Sequence, residues 1–240
     1  MSFFSSRLIG RHCVAHRTLA VVLERPAGFV FRAGQYIDIT LPEPRFTDLL
    51  GPTRSFSIAS APSERDLLLV MRVRDSAFKR SLAEMPLGAP VLIDGPADDL
   101  ALTLDDGRPA VFLAGGVGIA PFLSAVREAA FLATPIDATL FYSNRRPDDA
   151  AYLRELSLLT TRVAGFRCVP TMTRMASSAH RWSGESEHLG VPMLERHLAT
   201  LRGPRYYLSG STGFISGLCQ EIERAGVPGS DIRIEMYTGY

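Results

Sequence analysis

The chain lacks an excess of charge of either sign. Its 26 basic and 25 acidic residues leave a formal net charge of +1. No electrostatic footprint for nucleic acid or for an anionic membrane surface can be read from that balance. Cysteine is scarce, with only Cys13, Cys168 and Cys219 in 240 residues. An odd, scattered set is no disulfide framework and suits a reducing compartment. It also excludes an iron–sulfur cluster, which needs four closely spaced thiolates. His12 and His16 flank Cys13, but no fourth ligand lies near them, so the segment reads as an early strand with surface histidines. Long hydrophobic runs are missing too. The most apolar stretch, Pro109 to Leu123, is too short to span a bilayer and is broken by three glycines. The first ten residues have no charged start followed by an apolar run, so they do not read as a signal peptide. No period of 20–50 residues recurs. A cytoplasmic globular protein without membrane contact is the expectation, and the hydrophobic share of 46% supplies the core.

What is present divides into two halves. Up to about Asp106 the chain reads as short strands separated by turns: Thr18 to Leu23, Tyr36 to Leu41, Arg54 to Ile58, Leu67 to Val73 and Val91 to Ile93. Ala77 to Met85 is the one helical stretch in this half. Many short strands with a single helix predict a small antiparallel barrel. After Asp105-Asp106-Gly107 strands and helices alternate. Strands are expected at Ala110 to Leu113, Ala138 to Tyr142, Phe166 to Pro170, Tyr206 to Ser209 and Ile232 to Tyr237. Helices are expected from Pro121 to about Leu132, Ala150 to Leu159, within Leu189 to Leu201, and from Phe214 to Ala225. That alternation predicts a doubly wound α/β parallel sheet. The expected domains are 1–104 and 105–240.

Two local patterns suggest chemistry. Between Leu113 and Pro121 a glycine loop joins strand to helix, and Gly116-x-Gly118 resembles the start of a dinucleotide fingerprint. Such a loop turns backbone N–H groups and a helix N-terminus toward a pyrophosphate. Pro121 stands at the first helical turn, where its missing N–H costs nothing. The next two strands end in Ser143-Asn144-Arg145-Arg146 and Thr171-Met172-Thr173-Arg174. Arginine there accommodates a ribose 2′-phosphate, so the pair leans toward NADPH, although each alone also reads as a solvated loop charge. In the first half, Arg54-Ser55-Phe56-Ser57 offers a guanidinium, an aromatic ring and two hydroxyls on one strand.

The ordered series Gly34-Gln35-Tyr36, Arg54-x-Phe56-Ser57, Asp94-Gly95-Pro96, Gly115 to Pro121, Ser209-Gly210 and Glu235-Met236-Tyr237 resembles the ferredoxin–NADP⁺ reductase family of flavoprotein reductases. The likeness runs through both halves. It implies a six-stranded flavin-binding barrel followed by an NAD(P)-binding domain. It also implies FAD and NADP as cofactors, with NAD or FMN as variants, and a separate electron carrier such as ferredoxin or flavodoxin as partner. By the same resemblance Arg54 meets the flavin pyrophosphate, Ser55 and Phe56 line the flavin, and Ser57 lies beside its hydride-accepting atom. Phe56 stands where the family usually has tyrosine. Arg72 and Val73 pass the flavin phosphates, and Ser81 reaches them from a helix that lacks the family's glycines. Gly116, Gly118 and Pro121 match the nucleotide loop. Arg145, Thr173 and Arg174 match the basic and hydroxyl positions around the 2′-phosphate. Trp182 to Glu185 resembles a following turn. Ser209 takes the place of the family's frequent cysteine beside the nicotinamide. Glu235 would orient the carboxamide or relay a proton, and Tyr237 or Tyr240 would cover the flavin ring. A non-catalytic or complex-dependent electron-transfer or regulatory subunit with the same fold is the alternative.

Overall fold

The computed structural model describes residues 3–237; Tyr240, expected at the flavin ring, lies outside them. Six strands form an antiparallel sheet: β1 (Phe4–Ala15), β2 (Thr18–Leu23), β3 (Tyr36–Thr40), β4 (Thr53–Ser57), β5 (Leu67–Arg72) and β6 (Pro90–Ala97). Their order is β4-β3-β6-β1-β2-β5. The sheet curls until its two edges meet at a bridge between Ile58 and Leu69, where Ala59 N also bonds Leu68 O at 2.7 Å, so it closes as a barrel. Alternation decides what faces the inside. In β3, Ile37 and Ile39 point inward and are fully buried beside Leu8, Val21, Leu69, Val91 and Ile93. Helix α1 (Ala77–Glu84) caps this core with Phe78 and Leu82. The i, i+4 spacing places both on one face.

The second sheet is parallel, in the order β11-β10-β7-β8-β9. Its strands are β7 (Ala110–Gly115), β8 (Ala138–Asn144), β9 (Phe166–Met172), β10 (Arg205–Ser211) and β11 (Ile232–Tyr237). Helices α2 (Ala120–Phe131), α3 (Leu153–Arg162), α4 (Val191–His197) and α5 (Thr212–Arg224) accompany it. The chain leaves β7 toward β8 on one side and later returns to its other side as β10. This is the switch point at which open α/β sheets bind ligands, beyond the carboxyl ends of the strands. Helix α3 starts at Leu153, later than the sequence suggests, because Tyr152 adopts φ +59° and cannot continue a helical turn backward.

The two-domain architecture expected from the sequence is thus present. Helix α2 is buried on nearly every side, because it lies between the parallel sheet and the barrel loop after β4. Ser124 Oγ donates to Ser60 O at 2.7 Å, and Ser63 N donates to Glu128 Oε2 at 2.9 Å. Arg127 forks onto Glu155 of α3 at 2.7 and 2.9 Å while also reaching Ala59 O. The connecting segment is pinned as well. Tyr207 Oη accepts Thr103 N–H at 3.1 Å and donates to Thr103 O at 3.0 Å. Among the described residues no helix is long and apolar enough to cross a membrane.

Candidate functional site

Two adjoining cavities lie where the sheets face each other. The larger, of about 760 Å³, is lined by β4 residues Arg54, Ser55, Phe56 and Ser57, by Arg72, Arg74 and Lys79, and by Glu235 and Tyr237 from β11. The smaller, of about 420 Å³, is lined by Gly116, Arg145, Thr173, Arg174, His188 and Ser211. Arg72, Arg74 and Val117 line both. Both volumes fall in the range of small-molecule sites.

The redox-type residues of the sequence converge. Parallel pairing sets Ser209 of β10 directly beside Glu235 of β11. Ser209 and Tyr237 each donate a hydroxyl to Glu235 Oε2 at 2.9 Å. Tyr237 Oη also meets Ser57 Oγ across the domain boundary and lies 3.2 Å from Ser209 Oγ. Glu235 is 4% exposed, Ser57 3% and Ser209 fully buried. Burial pushes the Glu235 carboxyl up to about 7, even though the hydroxyls of Ser57, Tyr237 and Ser209 favour its charged form. A carboxyl so placed changes protonation at neutral pH. Tyr36, on the facing strand, is raised by burial and then by the negative charges of Asp99, Asp38, Glu235 and Asp98.

The opposite end of the larger cavity is basic. Arg54, Arg74 and Lys79 line it together, and Asp48 and Asp75 stand among them. Asp48 accepts hydrogen bonds from Ala77 N, the first turn of α1, at 3.2 Å and from Leu50 N at 3.0 Å. Arg54 donates to the carbonyls of Leu50 and Gly51 at 3.0 and 2.9 Å and lies 3.5 Å from Asp48. Between the two ends Phe56, Val70, Met71, Val117 and Ala120 give an apolar lining. Phe56 leans on Phe78 with ring centroids 5.9 Å apart.

In the smaller cavity the glycines divide their work. Gly116 has φ +57° and open space above it, so backbone is presented to the cavity. Gly118 lies beneath. A Cβ there would come within 2.1 Å of Ser209 O, so this glycine lets the loop press against β10. Thr173 and Arg174 are placed by backbone bonds to Asn144 O and Arg145 O, at 2.9 and 2.8 Å. The turn after them closes through Trp182 Nε1, which donates to Glu185 O at 2.7 Å.

Several sequence expectations are placed elsewhere. Ser81 does not face either cavity. Its hydroxyl accepts Phe46 N–H at 2.8 Å and donates to Phe46 O at 3.1 Å, tying the loop before β4 to α1. Val73 and Pro121 also miss both cavities. Val73 N bonds Arg17 O at 2.8 Å, and Pro121 is buried in the first turn of α2. Ser55 lines the larger cavity, yet its hydroxyl is bonded to Asp38. Arg72 is committed to Asp149 at 3.0 Å and Thr18 Oγ1 at 3.2 Å. Asp149 also takes Arg146 at 2.9 Å. Burial opposes the charge on Asp149, but the hydrogen bonds from Arg146 and Arg72 outweigh it and hold its carboxyl at about 2. Asp149, Arg74 and Lys79 were not expected from the sequence. Lys79 alone carried a signal, being the only lysine in the chain.

Comparison with known proteins gives the frame for these features. Residues 112–220 match the model of the oxidoreductase NAD-binding domain. The chain is 31% identical to ferredoxin–NADP reductase B of Sorangium cellulosum, over 98% of this chain and 97% of that protein. It is 26% identical to a glycine betaine monooxygenase reductase subunit of Chromohalobacter salexigens, and there it spans only 57% of the relative's length. Among solved structures, a Neisseria gonorrhoeae ferredoxin NADP⁺ reductase with bound FAD and NADP superposes with a TM-score of 0.78 at 23% identity, covering 99% of each chain. An Amycolatopsis cytochrome P450 reductase gives 0.83 at 23% identity, covering 99% of this chain and 70% of the other. These structural matches speak for the fold. The 31% identity to the Sorangium relative over nearly the whole of both chains places this chain in the ferredoxin–NADP reductase family of oxidoreductases.

Proposed function

We propose that the chain is an FAD-dependent NAD(P)H reductase that passes electrons to a separate carrier protein, a ferredoxin, a flavodoxin or an oxygenase component. The observation that carries this reading is the build of the larger cavity. Along β4 its lining runs from Arg54, near Arg74 and Lys79, through Phe56 to Ser57, which meets the hydroxyl–carboxyl cluster of Tyr237, Ser209 and Glu235, and it adjoins the smaller cavity. A flavin dinucleotide has the matching parts in the matching order: a diphosphate, and a ring system with one polar reactive edge. The division of labour follows as 1–104 for the flavin and 105–240 for the nucleotide.

A bound flavin would supply the redox chemistry, taking up a hydride from reduced nicotinamide and giving it on as single electrons. The chain's own residues orient the two partners. Arg54 and Arg74 counter the diphosphate charge. Phe56 packs against the ring system or its side chain, without the hydroxyl that tyrosine would add. The N–H groups around Gly116 face the nucleotide phosphates. Arg145, Thr173 and Arg174 receive a 2′-phosphate, which favours NADPH. Tyr237 holds Ser57, Ser209 and Glu235 together through one hydroxyl. A nicotinamide carboxamide needs the same partners, so that side chain swings away as the nucleotide enters. Ser209 and Glu235 then anchor the amide, and Glu235, poised near neutrality, moves a proton at its Oε2.

The purified protein is expected to be yellow and to bleach anaerobically on adding NADPH; colourless protein that takes up no FAD refutes the reading. Replacing Arg174 by alanine is expected to raise the KM for NADPH at least about tenfold, the worth of one charge-assisted phosphate contact, and to leave the KM for NADH within about twofold. Equal losses with both nucleotides refute the 2′-phosphate role.

A further inference from the structure

The bonds that cross the domain boundary are of two kinds. Those of α2 grip Ala59, Ser60 and Ser63 of the barrel, which line neither cavity. Others begin and end on cavity walls, as those of Tyr237 with Ser57 and of Asp149 with Arg72 do. On the proposed reading, nucleotide entry gives up the bond of Tyr237. The pair of Asp149 and Arg72 stays.

That pair is part of a ring. Asp149 Oδ1 accepts Arg72 Nη2 at 3.0 Å, and Arg72 Nη1 donates to Thr18 Oγ1 at 3.2 Å. Thr18 Oγ1 donates to His16 O at 3.2 Å, and His16 N donates to Asp148 O at 2.7 Å. The ring thus runs from the turn after β8, through the end of β5 and the start of β2, back to the same turn. Asp149 is 5% exposed and Thr18 2%, in surroundings where hydrogen bonds are stronger than in water. Arg146 takes the other carboxylate oxygen at 2.9 Å from within the parallel-sheet domain. Burial opposes the Asp149 charge, but hydrogen bonds from Arg146 and Arg72 hold the carboxyl at about 2, so it is charged at neutral pH.

The ring joins the walls of the two cavities. Strand β5 brings Val70 and Met71 to the larger one, and its last residue, Arg72, lines both. The turn after β8 brings Arg145, Asp149 and Ala151 to the smaller one. A guanidinium is planar and presents its donors in a rigid fork. Held by Thr18 in its own barrel and by Asp149 in the other domain, it carries position across the boundary.

We propose that Asp149 is a positioning residue for transfer between the cavities, setting the barrel wall against the nucleotide wall through Arg72. The inference rests on the flavin reading for what is transferred, and the placement of the domains does not depend on that reading.

Two measurements test it. Anaerobic stopped flow separates the limiting rate of flavin reduction from the Kd of NADPH. Asp149→Asn is expected to lower the limiting rate about tenfold or more, with the Kd within about threefold. Arg146→Met removes a bond to the same carboxylate without crossing the boundary, so it is expected to lower the melting temperature and spare the rate. Arg72→Met combined with Asp149→Asn is expected to be no slower than the slower single variant. An unchanged rate in Asp149→Asn, an equal loss in Arg146→Met, or losses that multiply in the double variant would overturn the proposal. The second measurement needs no flavin. Spin labels are placed on Leu87→Cys of the barrel and Leu158→Cys of α3, both exposed, with Cys13, Cys168 and Cys219 replaced by alanine. One narrow distance distribution is expected with the ring intact and with Arg146→Met, and a broader one with Asp149→Asn. Equal widths in all three overturn the proposal. Wild-type protein that takes up no flavin refutes the flavin reading separately, and the distances then decide the role of Asp149.

Discussion

Replacing Glu235 by glutamine tests the energetics of the buried cluster. The carboxyl is raised from an ordinary value of 4.5 to about 7, and burial is the dominant cause. A folded-state value above the unfolded one means that the native protein binds more protons between those two values. The contribution of this group is therefore fully present below about pH 4.5 and is lost as pH rises through 7. A shift of that size corresponds to about 3 kcal/mol. Glutamine keeps the shape and can still bond Ser209 and Tyr237, but it has no charge to strand in the interior. Measured by urea denaturation from pH 5 to pH 8, the wild type should lose about 2.5 kcal/mol relative to Glu235→Gln, the part of the full effect that falls in this range. The variant is expected to be the weaker or equal partner at pH 5 and the stronger at pH 8. The rate of flavin reduction by NADPH should carry an inflection near pH 7 in the wild type that is missing from the variant. A difference between the two proteins that stays constant across the pH range would refute the reasoning, because it would mean that Glu235 does not titrate in that window.

Gly118→Ala is expected to destabilise the protein by more than about 3 kcal/mol, because its Cβ would meet the backbone at Ser209 O at 2.1 Å and neither side is a movable side chain. Gly217→Ala, in α5 with nothing within 4 Å of its new Cβ, should instead stabilise by about 0.5–1 kcal/mol; thermal melts of the pair that rank the other way would refute the packing account. Asp149→Asn should cost about 2 kcal/mol at pH 7, and wild-type stability from this group should fall away only as pH drops from about 3.8 through 2. Limited proteolysis of the 146–152 segment reports the loosened clasp, and unchanged cleavage counts against it.

The alternation of strands and helices after residue 110 is legible because the apolar runs alternate in length and several are bounded by glycines such as Gly115, Gly165 and Gly226. The cluster of Ser57, Ser209, Glu235 and Tyr237 is legible only through the order of motifs, since Ser57 and Tyr237 stand 180 residues apart and meet through barrel and sheet together. What sequence cannot show is where a polar group spends its hydrogen bonds. Ser81 resembles a phosphate donor by its place in α1, but the Phe46 backbone, 35 residues away, claims its hydroxyl. Arg72 likewise matches a phosphate-side segment, yet Asp149, 77 residues later, takes its guanidinium. Lys79 is plain as a letter, but its meaning depends on Arg54 and Arg74, which a strand and a loop deliver to the same cavity. The glycine loop is legible as a turn. That Gly118 serves packing while Gly116 serves the cavity depends on β10, which arrives far later in the chain.

The residues that fasten the two domains are next to those that line the cavities, and that has a mechanical consequence. Helix α2 is held to the loop after β4 by Ser124, Arg127 and Glu128. Close by, Asp149 of the parallel-sheet domain grips Arg72 of the barrel, and His16 N donates to Asp148 O at 2.7 Å. Arg72 lines both cavities. Transfer between two bound groups is sensitive to misplacement of about 1 Å, and a sheet-to-barrel contact with a single fastener would leave a hinge through the cavities. Here several bonds share the work, with the Tyr207–Thr103 pair adding a third attachment at the connecting segment. Tyr237 stands among the cavity-lining side chains. Its hydroxyl is held by Ser57, Ser209 and Glu235. On the proposed reading, nucleotide entry would exchange these bonds, the Ser57 one across the domain boundary included, while the bonds of α2 and Asp149 stay in place.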